Sequence, residues 1–229
     1  MSQQQELAKN FSVEKAHATQ VCLSKKIILE DRLPRKIKTV AGIDVSYVGG
    51  VGVGAVAVLD YESLKLVEAQ VATCKVKMPY IPTLLSFRET PPAMAAIRKL
   101  KIHPDVFLVD AQGWAHPYRC GFASHLGLAL GKPTIGVAKT PLIGEPAEIN
   151  GQTFLVDGGE VIGAVVTTKQ STKPVFVSVG HMVSLKTAME IAKRCSKTRV
   201  PEPILQAHKL ATQERKRLAV ESKINIAEE

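Results

Sequence analysis

The sequence predicts an α/β fold, a mixed central sheet flanked by helices, built as one domain over residues 1–229. Three observations lead there. Residues 39–76 are β-branched and alternating, and two turn-forming clusters break them, so they read as a three-strand meander. Beyond them, short apolar runs alternate with helical patterns, the order that puts helices on the faces of a sheet. No long linker, repeat or low-complexity tract interrupts the chain, and 229 residues with 45% hydrophobic content can bury a substantial core.

The elements follow in order. Residues 12–33 carry apolar side chains at helical spacing and stop before Pro34, which predicts one long N-terminal helix. The meander turns at "VGGVG" and at "DYES". Residues 78–92, "MPYIPTLLSFRETPP", hold Tyr80 and Ile81 between Pro79 and Pro82, poor material for a helix or a central strand. A helix is predicted over 91–102, with Pro91 and Pro92 in its first turn, where a missing N–H is harmless. The run in 104–113 is short and almost fully apolar, as in a strand buried on both faces. A helix over 121–131 ends at Gly131, and another buried strand lies in 132–140. Strands in 160–168 and 174–180, then helices over 184–195 and 201–220, close the chain.

Lys plus Arg number 30 against 21 Asp plus Glu, a formal net charge of +9. That balance fits a polyanionic partner such as nucleic acid, and equally a basic soluble protein. No apolar run reaches the roughly 20 residues of a membrane span, and the first residues lack the apolar core of a signal peptide. The expectation is a cytoplasmic protein with no membrane partner, acting as a monomer. Cys22, Cys74, Cys120 and Cys195 are far apart and show no metal-ligand spacing, so they read as reduced thiols.

Asp44 lies in the first strand, and Asp110 follows the apolar run at the carboxyl end of a later one. Either aspartate alone fits a capped turn or a water-facing edge. Two of them, each on an apolar strand run, point to a shared site, because ligands gather outside the carboxyl ends of strands in open α/β sheets. Two carboxylates without a soft ligand suit a hard cation, Mg²⁺ or Mn²⁺. Glu89 fits a solvated carboxylate near a helix start, although its proline neighbours fix its backbone. The stretch "DAQGWAHPYRCGFASHLG" packs Gly113, Trp114, His116, Tyr118, Arg119, Gly121 and His125 just beyond Asp110, a mixture typical of a binding loop. Lys139 ends a buried strand and fits either a phosphate contact or a surface lysine. His208 and the basic residues after it fit a solvated helix face as well as a nucleic-acid contact.

Taken in order, "AGIDVSY", "PYIPTLLSFRETPP", "DAQGWAHPYRCGFASHLG", "PTIGVAKTPLIG", "FVSVGHMVSL" and "PEPILQAHKLATQ" resemble the endonuclease V family, from about Val40 to about Gln213. "PYIP" with "FRE", together with the loop after Asp110, is the specific combination. The resemblance implies a ribonuclease H-like fold and a Mg²⁺-dependent repair nuclease directed at deoxyinosine, with Mn²⁺ as the alternative to Mg²⁺. It implies hydrolysis of the second phosphodiester 3′ to the lesion, leaving a 3′-hydroxyl and a 5′-phosphate. It makes Asp44 and Asp110 metal ligands, with Glu89 and His208 completing the site and Lys139 on a phosphate. Tyr80, set by Pro79, Ile81 and Pro82, becomes a strand-separating wedge. Leu85, Gly113, Gly121, Gly136 and Leu142 become walls of a base pocket, with His116 on the same loop. One departure is Ala111, where the family pattern leads one to expect glycine. Alternatives that keep the fold are an inosine-specific endoribonuclease, a different nuclease or resolvase, and a non-catalytic nucleic-acid binder.

Overall fold

The computed structural model describes residues 11–227, with side chains through residue 221. Its elements in chain order are α1 (Val13–Ser24), β1 (Thr39–Val48), β2 (Val51–Asp60), β3 (Leu66–Lys75), α2 (Leu85–Ile97), β4 (Val106–Val109), α3 (Phe122–Leu130), β5 (Thr134–Ala138), β6 (Glu145–Ile149), β7 (Gln152–Asp157), β8 (Glu160–Val166), β9 (Val175–His181), α4 (Leu185–Arg194) and α5 (Glu202–Ala227). The strands form one mixed sheet in the order β3-β2-β1-β4-β5-β9-β8-β7-β6. The pairs β1–β4 and β4–β5 are parallel, and every other neighbouring pair is antiparallel.

The period of two along each strand sorts the core into two layers. Val40, Ala57, Leu59, Val106, Leu108 and Ile135 face one side, where Ala188 and Ile191 of α4 and Ile204 and Ala207 of α5 cover them. Ala41, Ile43, Val56, Val58, Phe107 and Val109 face the other, under Ala93 and Ala96 of α2 and Phe122 and Leu126 of α3. Two glycines let the helices come this close. A Cβ at Gly42 would lie 1.9 Å from the Pro203 carbonyl oxygen, and one at Gly54 would lie 2.1 Å from that of Pro92.

Three expectations need correction. The N-terminal helix ends at Ser24, not near Leu33. The residues after it are claimed by tertiary hydrogen bonds: Met182 N–H donates to Ile28 O (2.7 Å) and Arg32 N–H to Met182 O (3.0 Å). Asp31 then accepts from Ser184 N–H and from the Thr187 hydroxyl, at 2.7 Å each, and so caps α4. Second, α2 begins at Leu85, so Pro91 and Pro92 lie inside it and Glu89 is a helical residue. Interior prolines each remove a backbone donor. Burial of Pro92, Ala93 and Ala96 on that helix face outweighs the local penalty. Third, residues 145–157 form a hairpin, β6–β7, turning at Asn150 (φ +52°) and Gly151 (φ +74°), which the strand reading passed over. Among the described residues no helix is long and apolar enough to cross a membrane.

Candidate active site

The register of β1 against β4 builds the site. Ile43 pairs with Val109, and the next N–H, of Asp110, donates to Ile43 O at 3.1 Å. Asp44 and Asp110 therefore stand abreast. β4 stops at Val109 while β1 runs on to Val48, so the edge of β1 is open where the aspartates sit. Helix α5 packs on this face and contributes His208, whose Nδ1 lies 2.8 Å from Asp44 Oδ2. One ligand atom each from Asp44, Asp110 and His208 lies within 4.8 Å of the other two, an arrangement that could hold a metal ion. Lys139, the first residue after β5, donates from Nζ to Asp110 Oδ2 at 2.5 Å.

Glu89 enters from the opposite layer, on α2, and is only 9% exposed. Burial pushes its carboxyl well above the usual carboxylate range, and the charges of Asp44 and Asp110 push it further. Asp44 is raised too, by burial first and by Asp110 second, against the lowering pull of His208. The cluster thus concentrates more negative charge than its neighbours neutralise, which is the electrostatic state a divalent cation relieves. Two residues absent from the sequence-based set adjoin it. The Arg88 guanidinium stacks 4.2 Å from the centre of the Tyr47 ring, and burial with the nearby Glu89 charge raises the Tyr47 phenol. Both flank motif acids in sequence, Tyr47 three residues after Asp44 and Arg88 just before Glu89, and that adjacency was the available signal.

One residue beyond Asp110 a cavity opens, with a volume of about 240 Å³. Its walls include Pro82, Leu85, Ala111, His116, Gly121 and Leu142, and Tyr80 stands at its rim, 64% exposed. Gln112, missed in the sequence although it lies in "DAQG", also lines it and donates from Nε2 to Thr140 O at 2.9 Å. Pro79 and Ile81 are half-buried on the loop that carries Tyr80. His116 is buried, and burial lowers its imidazole to about 4, so it is neutral near pH 7. Its Nε2 lies 2.9 Å from Thr83 O, which can only accept, so Nε2 carries the proton and Nδ1 accepts from Tyr118 N–H. His116 therefore joins the proline-bracketed loop to the glycine-rich one.

Gly113 and Gly136 lie beneath the cavity rather than on its wall. A Cβ on Gly113 would sit 2.1 Å from Val179 O, and one on Gly136 would sit 2.6 Å from Gly113 N. They let the loop after Asp110 settle on β5 and β9, where Gly113 N–H donates to Ser178 Oγ and Trp114 N–H to Val179 O. Other residues of that loop are fasteners. Trp114 Nε1 donates to Glu160, and Arg119 pairs with both Asp157 and Glu160 at 2.8 Å. His125 is half-buried, edge-on to Phe87.

The profile of the endonuclease V family matches residues 21–209. The chain belongs to the endonuclease V family. It is 44% identical over 209 residues to endonuclease V of Thermofilum pendens, covering 90% of each chain. It is 47% identical over 191 residues to that of Dictyoglomus turgidum, covering 81% of this chain and 83% of the relative. Among solved structures it is similar to endonuclease V of Streptomyces avermitilis, with TM-score 0.85 and 37% identity over 90% of this chain and 94% of that one. It is also similar to Ciona intestinalis endonuclease V bound to DNA containing an inosine followed by a ribo-adenosine, with TM-score 0.80 and 34% identity over 90% of this chain and 98% of that one. As a member of this family, the chain is a nuclease with the ribonuclease H-like fold, and its sheet order with β1 and β4 side by side is the frame on which the acidic cluster sits.

Proposed function

We propose that the chain is a single-domain, monomeric repair endonuclease that recognises deoxyinosine in DNA and hydrolyses the second phosphodiester 3′ to it. The products are a 3′-hydroxyl and a 5′-phosphate. One observation carries the reading: Asp44, Asp110 and His208 converge one residue before a cavity with an exposed tyrosine at its rim. A cytoplasmic site of action is supported by four cysteines that are all unpaired.

Hard carboxylate oxygens around excess negative charge fit Mg²⁺, with Mn²⁺ as a substitute. Asp44 and Asp110 would hold the ion, which when bound neutralises charge on the scissile phosphate and makes water a better nucleophile. Lys139 brings a point charge to a phosphate oxygen. Glu89, buried beside Asp44 and Asp110, holds a proton more readily than an ordinary carboxylate, and the exposed His208 imidazole stands 2.8 Å from Asp44. Turning a base out of the stack costs about a few kcal/mol. Tyr80, stiffened by Pro79 and Pro82, fills the gap, and the cavity takes the flipped base. Hypoxanthine lacks the amino group of guanine, so a close-fitting cavity rejects guanine by shape.

A second reading, inosine in RNA, is favoured by the ribo-adenosine in the strand bound by the Ciona relative. End-labelled cleavage mapping on matched DNA and RNA duplexes, each with one inosine and with Mg²⁺, separates the two. A single inosine-dependent cut at the second 3′ phosphodiester of DNA is expected. Cutting elsewhere, or cutting independent of inosine, contradicts the proposal.

A further inference from the structure

The loop bearing Tyr80 is held by α1. Three hydrogen bonds converge on Thr83, the residue that ends the proline-bracketed turn. Gln20 Nε2 donates to Thr83 O at 2.9 Å and to Cys120 O at 3.0 Å. His17 Nε2 lies 3.0 Å from Thr83 Oγ1, and His116 Nε2 donates to the same Thr83 carbonyl. His17 is itself braced: its ring stacks on Tyr118 with centroids 4.2 Å apart, and its Nδ1 lies 3.1 Å from the Tyr118 hydroxyl. Below this network Ala16 packs with Met78 and Leu84, with Ile81 and Phe87 around them.

Two features say that the network positions the loop and does not merely fill space. Thr83 has φ +69°, a left-handed conformation that a β-branched side chain strongly disfavours unless its surroundings impose it. Gln20 is fully buried, and its Oε1 accepts no hydrogen bond among the described residues. An apolar side chain would fill that site without the penalty of an unpaired carbonyl. What glutamine supplies is one N–H₂ group spanning two loops, the one with Tyr80 and the one between Asp110 and α3.

We infer that α1 is a clamp: His17 and Gln20 are positioning residues that hold Thr83 in its strained conformation and so keep Tyr80 at the cavity rim for strand separation. The inference rests on the wedge reading of Tyr80. The test compares inosine cleavage in duplex DNA with cleavage in single-stranded DNA, where no wedge is required, for Gln20→Ala, His17→Ala and Tyr80→Ala, each with its Tm. Loss of a buried hydrogen bond of this kind predicts a drop of about tenfold in the duplex rate, with the single-strand rate unchanged, for Gln20→Ala. His17→Ala gives a smaller drop of the same kind. Adding Thr83→Gly to Gln20→Ala restores part of the duplex rate, because glycine adopts positive φ without help. If Tyr80→Ala lowers the duplex-to-single-strand ratio while His17→Ala and Gln20→Ala leave it at the wild-type value, the clamp is refuted and the wedge stands. If Gln20→Ala does not fold, His17→Ala with Thr83→Gly decides. A Tyr80→Ala variant with an unchanged ratio overturns the wedge and the clamp together.

Discussion

The acidic cluster and the cavity beside it are separated by one residue and built on opposite principles. The cluster consists of side chains on rigid elements: Asp44 and Asp110 stand in parallel register, with His208 and Glu89 supplied by helices from the two layers. Its positions follow from the sheet, and its internal repulsion works against the fold. The cavity consists of loops whose shape is imposed from beneath and behind, by Gly113 and Gly136 against the sheet and by His116 and Gln20 on Thr83. In the cluster the residues that matter under the proposed function are the side chains that face the substrate. In the cavity many of them do not line it.

Breaking the cluster has the largest expected effect. Asp44→Asn and Asp110→Asn each lower cleavage by at least about a hundredfold, the scale for removing one electrostatic group from a reacting site. Unlike most site substitutions, Asp44→Asn raises the Tm of the metal-free protein, because it removes a buried charge held beside another of the same sign. Breaking the cavity from below comes next. Gly113→Ala forces its Cβ against the Val179 backbone, so a loss of about 1–3 kcal/mol follows, measurable by denaturant melts, with inosine selectivity falling alongside. Leu142→Ala, on the exposed wall, stays within about 0.5 kcal/mol of wild type while changing selectivity.

The pH dependence sharpens the same contrast. Glu89 has a folded-state pKa above its unfolded one, so in the metal-free protein the native state binds more protons than the unfolded state between those two values. Stability from this group is complete below the ordinary carboxylate range and is lost as pH rises through the raised value. The Tm of Glu89→Gln minus that of wild type therefore grows as pH rises above the ordinary carboxylate range, from about pH 4 upward. A difference that is flat or shrinks with pH refutes the electrostatic description of the cluster. The smallest effect is Ala111→Gly: removing a methyl from the cavity wall shifts the preference between hypoxanthine and guanine by a few-fold at most and leaves Tm near wild type, as single-turnover rates on the two bases and a melt would record.

Asp44 and Asp110 were legible in the sequence because a charge on or just after an apolar strand run violates binary patterning, and functional sites are where such violations concentrate. The central meander was legible from β-branched alternation between turn signals, and the buried strands from short, almost fully apolar runs. Three things were not. α2 was placed too late because Pro91 and Pro92 carry strong local signals, while the burial that overrides them comes from Gly54, far away in sequence. The β6–β7 hairpin was missed although Asn150-Gly151 is a strong turn signal, because β6 is mostly exposed, β7 is mostly half-buried, and neither shows clean alternation. The tether from Gln20 to Thr83 spans 63 residues and leaves no local pattern.

The central claim is that Asp44 and Asp110 form one divalent-metal site whose repulsion the metal relieves. The direct measurement is the Tm at pH 7 with and without Mg²⁺, for wild type and for the double variant Asp44→Asn with Asp110→Asn. The predicted result is a Mg²⁺-dependent rise for wild type, none for the double variant, and a metal-free double variant that melts above metal-free wild type. An equal Mg²⁺ response in both proteins, or a metal-free double variant that melts lower, would contradict it.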